Sequence, residues 1–367
     1  MQRKILFLAN YNDEDYKGGI ANILECYCEN LSLFNKYNYD VEWLNLKTRH
    51  SKNKFFSLIQ KIKVLFQEKR VVYREIERIK PNLIHIHTSR GFTLYKDLMI
   101  AKYLKKKTSL PIALSIHFAE FSKIFSKRKM IKKREIKIAD SFVDKIICLS
   151  RVTAKELSTL FGDKKISILY TFHTFNSADK ILENSNNSAL RLMFMGSLNE
   201  RKGILDLILA VQKLKNRVVL KIYGGFDSDQ VFQKRFYDLL LGNSAIEYCG
   251  YISGLDKEKA FSKSDIFILP SYAEGMPIVI MEALSKGCAI ISTNVGAIPE
   301  IVTEENGILL SPGDINGIYL AIEKYDNNRN LLMAVRKNNL KKGKQFSLSS
   351  NIKALCDIYG GLFNDKQ

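Results

Sequence analysis

The chain has little of what marks the special classes of protein. Six prolines and 20 glycines in 367 residues are too few for a collagen-like or low-complexity polymer, so an ordinary packed interior is expected. No run of 18 apolar residues occurs, and no membrane-spanning helix is expected. The apolar stretch Ile5 to Ala9 is short and soon followed by Asp13, Glu14 and Asp15. That is not the pattern of a signal peptide, and a cytoplasmic location is the expectation. The six cysteines (Cys26, Cys28, Cys148, Cys249, Cys288 and Cys356) form no CxxC pair. Buried free thiols in a reducing compartment follow. A GxGxxG run is missing too, which counts against a dinucleotide oxidoreductase.

What is present is length, alternation and positive charge. A chain of 367 residues has room for about two domains, each able to bury a core. The net charge is +19, and it is unevenly spread: residues 1–170 hold 34 basic and 17 acidic side chains, the remainder 23 and 21. Short β-branched runs alternate with amphipathic stretches throughout, the pattern of parallel sheets with crossover helices, so the fold class is α/β. In the first half the expected strands are Lys4 to Ala9, Val41 to Leu46, Asn82 to Thr88, Ile112 to His117, Lys145 to Leu149 and Ile166 to Tyr170. A second series begins afresh with Leu192 to Met195, Val218 to Gly224, Ile246 to Tyr251, Ile266 to Leu269, Ala289 to Ser292 and Gly307 to Leu310. Two Rossmann-like domains result, over residues 1–170 and 189–345. The Asn- and Ser-rich residues 171–188 read as a linker, and residues 346–367 as a C-terminal helix returning to the first domain. Ligands of open α/β sheets sit beyond the carboxyl ends of the strands, so two such domains facing across a cleft would suit transfer between a donor and an acceptor.

The segment most charged with chemistry is Pro270-Ser-Tyr-Ala-Glu274-Gly-Met-Pro277-Ile-Val-Ile-Met-Glu282-Ala-Leu-Ser-Lys-Gly287. It reads as strand, loop and helix, with Pro277 in the first helical turn and Gly287 as the C-terminal stop. Free amides at Gly275 to Val279 would make the helix start an anion site suited to a diphosphate. Carboxylates accept hydrogen bonds from sugar hydroxyls, and Glu274 on the loop and Glu282 one turn into the helix can reach opposite ends of one ligand.

Here the sequence resembles the retaining glycosyltransferases of the GT-B fold, family 4 or glycosyl transferases group 1, in which Glu-x7-Glu stands in this context. The resemblance implies that Glu274 contacts the donor sugar. It further implies that Glu282 binds the ribose, and that the backbone at Gly275, Met276, Pro277, Ile278 and Val279 cradles the diphosphate. It extends to Phe194-Met-Gly196-Ser-Leu-Asn-Glu-Arg201-Lys202-Gly203, where Gly196 ends a strand and Arg201 and Lys202 would meet the charge developing on the leaving diphosphate. Many members carry Arg directly after that first glycine; this chain has Ser197. Lys17-Gly18-Gly19-Ile20 is similar to the family's Gly-Gly turn above the first strand, where Gly18 and Gly19 would let backbone approach the donor. His117, closing the strand Ile112 to Ile116, stands where family members keep a histidine beside the donor sugar. Cys249-Gly250-Tyr251 stands where the nucleotide base would rest. The linker lacks the family's Asn-Gly-Val-Asp run.

Two further groups read otherwise. His85 and His87 share a strand face and read as packing, with His87 near the ligand side. Asp227-Ser-Asp229 imitates a DxD metal motif but reads as a loop, and the resemblance implies a reaction without a metal or other cofactor. The basic stretches Lys123 to Lys137, Lys102 to Lys107 and Phe55 to Lys80 suit reversible attachment to an anionic membrane surface. No nucleic-acid motif accompanies them. The expectation is therefore a retaining, metal-independent hexosyltransferase. It would take a nucleotide-diphosphate sugar, expected to be UDP-linked, to a glycan or lipid-linked acceptor in bacterial cell-surface polysaccharide or lipopolysaccharide synthesis. The alternatives are a catalytically silent GT-B subunit binding membrane or a partner enzyme, and a sugar-nucleotide epimerase of the same fold.

Overall fold

A computed structural model describes residues 2–9, 19–46, 54–89, 91–118, 138–176, 181, 188–214 and 218–364. The chain divides into two units, residues 1–171 with 351–367, and residues 172–350. Each holds one six-stranded sheet in which every described strand pairing is parallel.

In the first unit the strands are β1 (Arg3–Ala9), β2 (Tyr39–Asn45), β3 (Leu83–Thr88), β4 (Ile112–Ile116), β5 (Lys145–Cys148) and β6 (Ile166–Ile168), in the order β2-β1-β3-β4-β5-β6. In the second they are β7 (Leu190–Met195), β8 (Val218–Tyr223), β9 (Ile246–Tyr248), β10 (Ile266–Leu269), β11 (Ala289–Thr293) and β12 (Gly307–Leu310), in the order β12-β11-β10-β7-β8-β9. The alternating pattern places all twelve; the central strands, covered by helices on both faces, are apolar nearly throughout, while β8 alternates buried and exposed residues. β1, β4, β10 and β11 are buried almost residue by residue.

Strand order reverses between β1 and β3 in the first unit and between β7 and β10 in the second. At such a switch point the loops leave the sheet in opposite directions and open a crevice above the strand ends. In the second unit the two strands are also tied at their starts. Asp265 accepts from the Arg191 guanidinium at 2.6 Å and from Arg336, itself 1% exposed, at 2.7 Å. Burial alone would push the Asp265 carboxyl up, but its two arginines hold it below its ordinary value.

The helix Leu348–Asn364 brings the chain back into the first unit. Its Tyr359 hydroxyl lies 2.6 Å from His85 Nδ1, whose Nε2 lies 2.7 Å from Ser115 Oγ. Asn351 accepts from the Tyr27 hydroxyl and donates to the Tyr170 carbonyl at 2.7 Å. These polar links sit in a layer of edge-on rings around Phe7.

The units divide between residues 171 and 172, and at the start of the stretch expected as a linker, 171–188, Phe172 and His173 are buried, with His173 forming a bridge to Ser347 inside the second unit. The Asn and Ser content hid the apolar anchor Phe172. The helix Lys54–Ile79 also does not offer its whole apolar face to a membrane, since Leu65, Val72, Ile76 and Ile79 pack in the core. Of the other basic stretches, Lys105 pairs with Asp144 at 2.7 Å, and Lys123 to Lys137 lies outside the described residues. No helix among the described residues is long and apolar enough to cross a membrane.

Tyr359→Phe should destabilise the first unit by about 1–3 kcal/mol, because it strands a buried ring nitrogen of His85; calorimetry showing an unchanged transition would refute the lock. Burial holds His85 and His87 well below the ordinary histidine value. The unfolded chain therefore takes up protons that the folded one refuses, and stability is full above about pH 6.5 and declines as pH falls below it. Urea midpoints should drop between pH 7.5 and 5.5.

Candidate active site

The switch point of the second unit gathers the motif residues. β7 is followed directly by Gly196, where the Lys202 stem passes; a side chain there would meet Lys202 Cε at 3.7 Å. A single turn, Glu200–Lys202, follows, with the Asn199 side chain accepting from the Lys202 amide at 3.2 Å. Gly203 closes it at φ 68°, where a Cβ would stand 2.1 Å from the Pro270 carbonyl oxygen. Only glycine permits this approach, and it brings the loops after β7 and β10 together. The Tyr272 amide donates to the Arg201 carbonyl at 2.8 Å, and Arg201 Nη1 to the Ala273 carbonyl at 2.8 Å.

This contact delivers two cations to one carboxylate. Lys202 Nζ lies 2.5 Å from Glu274 Oε1, and Ser271 Oγ donates to the same oxygen at 2.7 Å. Arg201 Nη1 lies 3.7 Å from Oε2. The Glu274 side chain is 7% exposed while that of Arg201 is half exposed. The carboxylate is thus fixed and the guanidinium has an open side. The sequence reading assigns the cations to a diphosphate and Glu274 to a sugar; the structure brings all three together.

Next stands the helix Ile278–Ser285. Pro277 occupies the capping position rather than the first turn, and it offers no side-chain oxygen to the helix start. The first amides of a helix have no acceptor within it, so Ile278 and Val279 present N–H groups beside Gly275 and Met276. Gly296 lies against this loop at φ 56°, where a Cβ would collide with the Glu274 carbonyl oxygen at 2.1 Å, and the Ala297 amide donates to the Gly275 carbonyl at 2.9 Å. One turn in, Glu282 is buried, with Oε1 2.6 Å from Lys257 Nζ and Oε2 without a hydrogen-bond partner. Burial raises the Glu282 carboxyl and the Lys257 charge opposes the rise.

In the first unit, His117 follows β4 with its amide on the Thr88 carbonyl at 3.2 Å. Its Nε2 lies 2.9 Å from His87 Nδ1, and the outer nitrogens, His117 Nδ1 and His87 Nε2, are buried without partners. Burial lowers His117 to about 4 and His87 well below its ordinary value, so both rings are neutral at pH 7. Two neutral imidazoles sharing one hydrogen bond always leave one outer donor and one outer acceptor.

Among the other expected residues, Gly18 lies outside the described residues and Gly19 opens the helix Gly19–Glu29. Tyr251 is 77% exposed beyond β9. Asp229 caps the helix Gln230–Leu240 and Asp227 accepts from Asn199 at 2.7 Å. Their duties are local. No cluster of metal-ligand type occurs among the described residues. Three of the six cysteines are only half-buried, though all six are free thiols. Sequence reading missed Ser271 and Lys257; no motif or periodicity marks the latter, which reaches Glu282 from another helix.

Both units resemble known proteins. The family described as Glycosyl transferases group 1 matches residues 178–342, and the one described as Glycosyltransferase Family 4 matches residues 37–174. The chain is 25% identical over 264 residues to the sulfoquinovosyl transferase SQD2 of Arabidopsis thaliana, covering 66% of this chain and 49% of that protein. It thus spans about half the length of that relative. Among solved structures it superposes on Anabaena HepE in complex with UDP with a TM-score of 0.72 at 16% identity, over 98% of this chain and 100% of that one. On the lipopolysaccharide outer core galactosyltransferase WaaB the TM-score is 0.70 at 16% identity, with 99% of each chain covered. The two family matches fall one in each unit and together span most of the chain, which belongs to the family 4 type of glycosyltransferase; the solved structures show that its fold is GT-B.

Proposed function

We propose that the protein transfers a hexose, with retention of configuration and without a metal, from a nucleotide-diphosphate sugar to a glycan or lipid-linked acceptor. The observation that carries this reading is the pairing of Lys202 with Glu274 beside an uncapped helix start, with Glu282 one turn further on. A diphosphate needs cations and free amides, a hexose needs a fixed acceptor of hydroxyl hydrogen bonds, and a ribose needs another; the second unit supplies each in sequence. UDP is the expected nucleotide, supported by the structural likeness to HepE, which was solved with UDP and with UDP-glucose.

In this reading the bond between the anomeric carbon and the diphosphate breaks with its electron pair leaving on the phosphate oxygen. Arg201, Lys202 and the amides of Gly275, Met276, Ile278 and Val279 meet that growing charge, which is the largest barrier-lowering effect available to such a site. The acceptor hydroxyl bonds to the same face of the sugar, and its proton passes to the departing phosphate oxygen. No side chain need form a covalent intermediate. In the first unit the His87–His117 pair offers a hydroxyl one donor and one acceptor. The positive surplus of residues 1–170 suits an acceptor carried on an anionic membrane, each well-placed charge adding about 1 kcal/mol.

Calorimetric titration with UDP, GDP and ADP should show one of them binding, and Glu282→Ala should weaken that nucleotide by about tenfold or more. Lys202→Met and Glu274→Gln should lower kcat of sugar transfer by about 10²–10³-fold, measured by nucleotide release with and without membrane extract. Release that needs no acceptor would instead favour the epimerase reading. Because His117 is held near 4, transfer should not lose activity through this ring between pH 8 and 5. A step in kcat/KM near pH 6.5 that His117→Asn removes would overturn the neutral-pair assignment. The protein should float with anionic vesicles at low salt and release at high salt; no binding at low salt removes the membrane element.

A further inference from the structure

Glu282 is held from one side only. Its Oε1 is 2.6 Å from Lys257 Nζ on the helix Gly254–Ser262, while Oε2 is buried and unpartnered. The charged groups around this carboxylate are few. Lys257 faces it. Lys286, at the C-terminal cap of the helix carrying Glu282, turns away to Glu258 at 2.5 Å and to the Asn176 carbonyl at 2.5 Å. The Phe175 ring lies near both ammonium groups, 5.8 Å from Lys257 Nζ and 5.7 Å from Lys286 Nζ, within the range of cation–π attraction. Lys286 is thus satisfied by its own carboxylate, and Lys257 is left as the counter-charge of Glu282.

A hydrogen bond to one carboxylate oxygen fixes the rotation of the whole group, and so fixes where the other oxygen points. We infer that Lys257 is a positioning residue for the nucleotide, fixing the Glu282 carboxylate so that Oε2 accepts from the ribose hydroxyls. Preference for a ribonucleotide over one lacking those hydroxyls then depends on Lys257, a residue that touches no part of the ligand. The inference rests on the donor reading above.

Removing the ammonium has a second effect. Burial already favours the neutral form of Glu282, and the Lys257 charge is what opposes it; without that charge the carboxyl is held to its proton more strongly. A protonated carboxyl is the weaker acceptor, so the ribose preference of such a variant should recover as pH rises.

The test is calorimetric titration of the full chain with UDP and with 2′,3′-dideoxy-UDP between pH 6 and 9. The wild type, Lys257→Met and Lys257→Arg are compared, with circular dichroism as the check on folding. The wild type should prefer UDP at every pH. Lys257→Met should lose about tenfold of its UDP affinity at pH 7, bind the dideoxy compound as the wild type does, and regain preference toward pH 9. Lys257→Arg should keep most of the preference, and it carries the test if the methionine variant does not fold. Equal losses for both nucleotides, or an unchanged and pH-independent preference in Lys257→Met, would overturn the inference. If UDP does not bind the wild type, GDP and ADP with their dideoxy forms replace it. Binding of none would overturn the donor reading itself and this inference with it.

Discussion

Glu274 is a nearly buried carboxylate, and it stays in place because Lys202 and Ser271 hold one of its oxygens while Arg201 stands near the other. Much of the second unit serves that contact. Lys202 can reach Glu274 only because the loops after β7 and β10 run side by side, and they do so only because Gly203 lets its backbone pass within a Cβ's width of the Pro270 carbonyl. The strands beneath are in turn tied at their starts by Arg191, Asp265 and Arg336. A buried ion pair of this kind is weak evidence for stability, since desolvation costs about as much as the attraction returns. Its value here is placement of two cations and one anion where a crevice opens in the sheet.

The two carboxylates of the motif live in different electrostatic settings. Glu274 has two cations within reach, one of them half exposed and free to meet a further anion. Glu282 has one cation, deep burial and an empty oxygen. The first setting suits the junction of a diphosphate and a sugar, where charge moves during reaction. The second suits static recognition of neutral hydroxyls. Nothing about the residue type distinguishes them; neighbouring helices and loops do.

The first unit follows a different logic. Among the described residues its sheet carries a row of histidine rings, and burial keeps His85, His87 and His117 unprotonated. The C-terminal helix supplies the partner of His85 through Tyr359, so the end of the chain completes a layer begun by β3 and β4. Part of the positive surplus of this half is already spent within the unit, where Lys105 pairs with Asp144 and the buried Lys96 with Glu68.

The sequence by itself determined the class of fold, the twelve strands and the strand–loop–helix course of the Glu274 to Glu282 segment, because the central strands of such sheets are written as apolar runs and glycine and proline mark where loop and helix meet. It could not show that Phe172 anchors the expected linker, that the apolar side of Lys54–Ile79 is consumed by the core, or that Pro277 caps the helix instead of entering it. Those depend on what packs against each segment. Lys257 meeting Glu282, His87 meeting His117 and Tyr359 meeting His85 join residues 25, 30 and 274 positions apart. Contacts over such separations are set by how sheets and helices stack, which local pattern does not record.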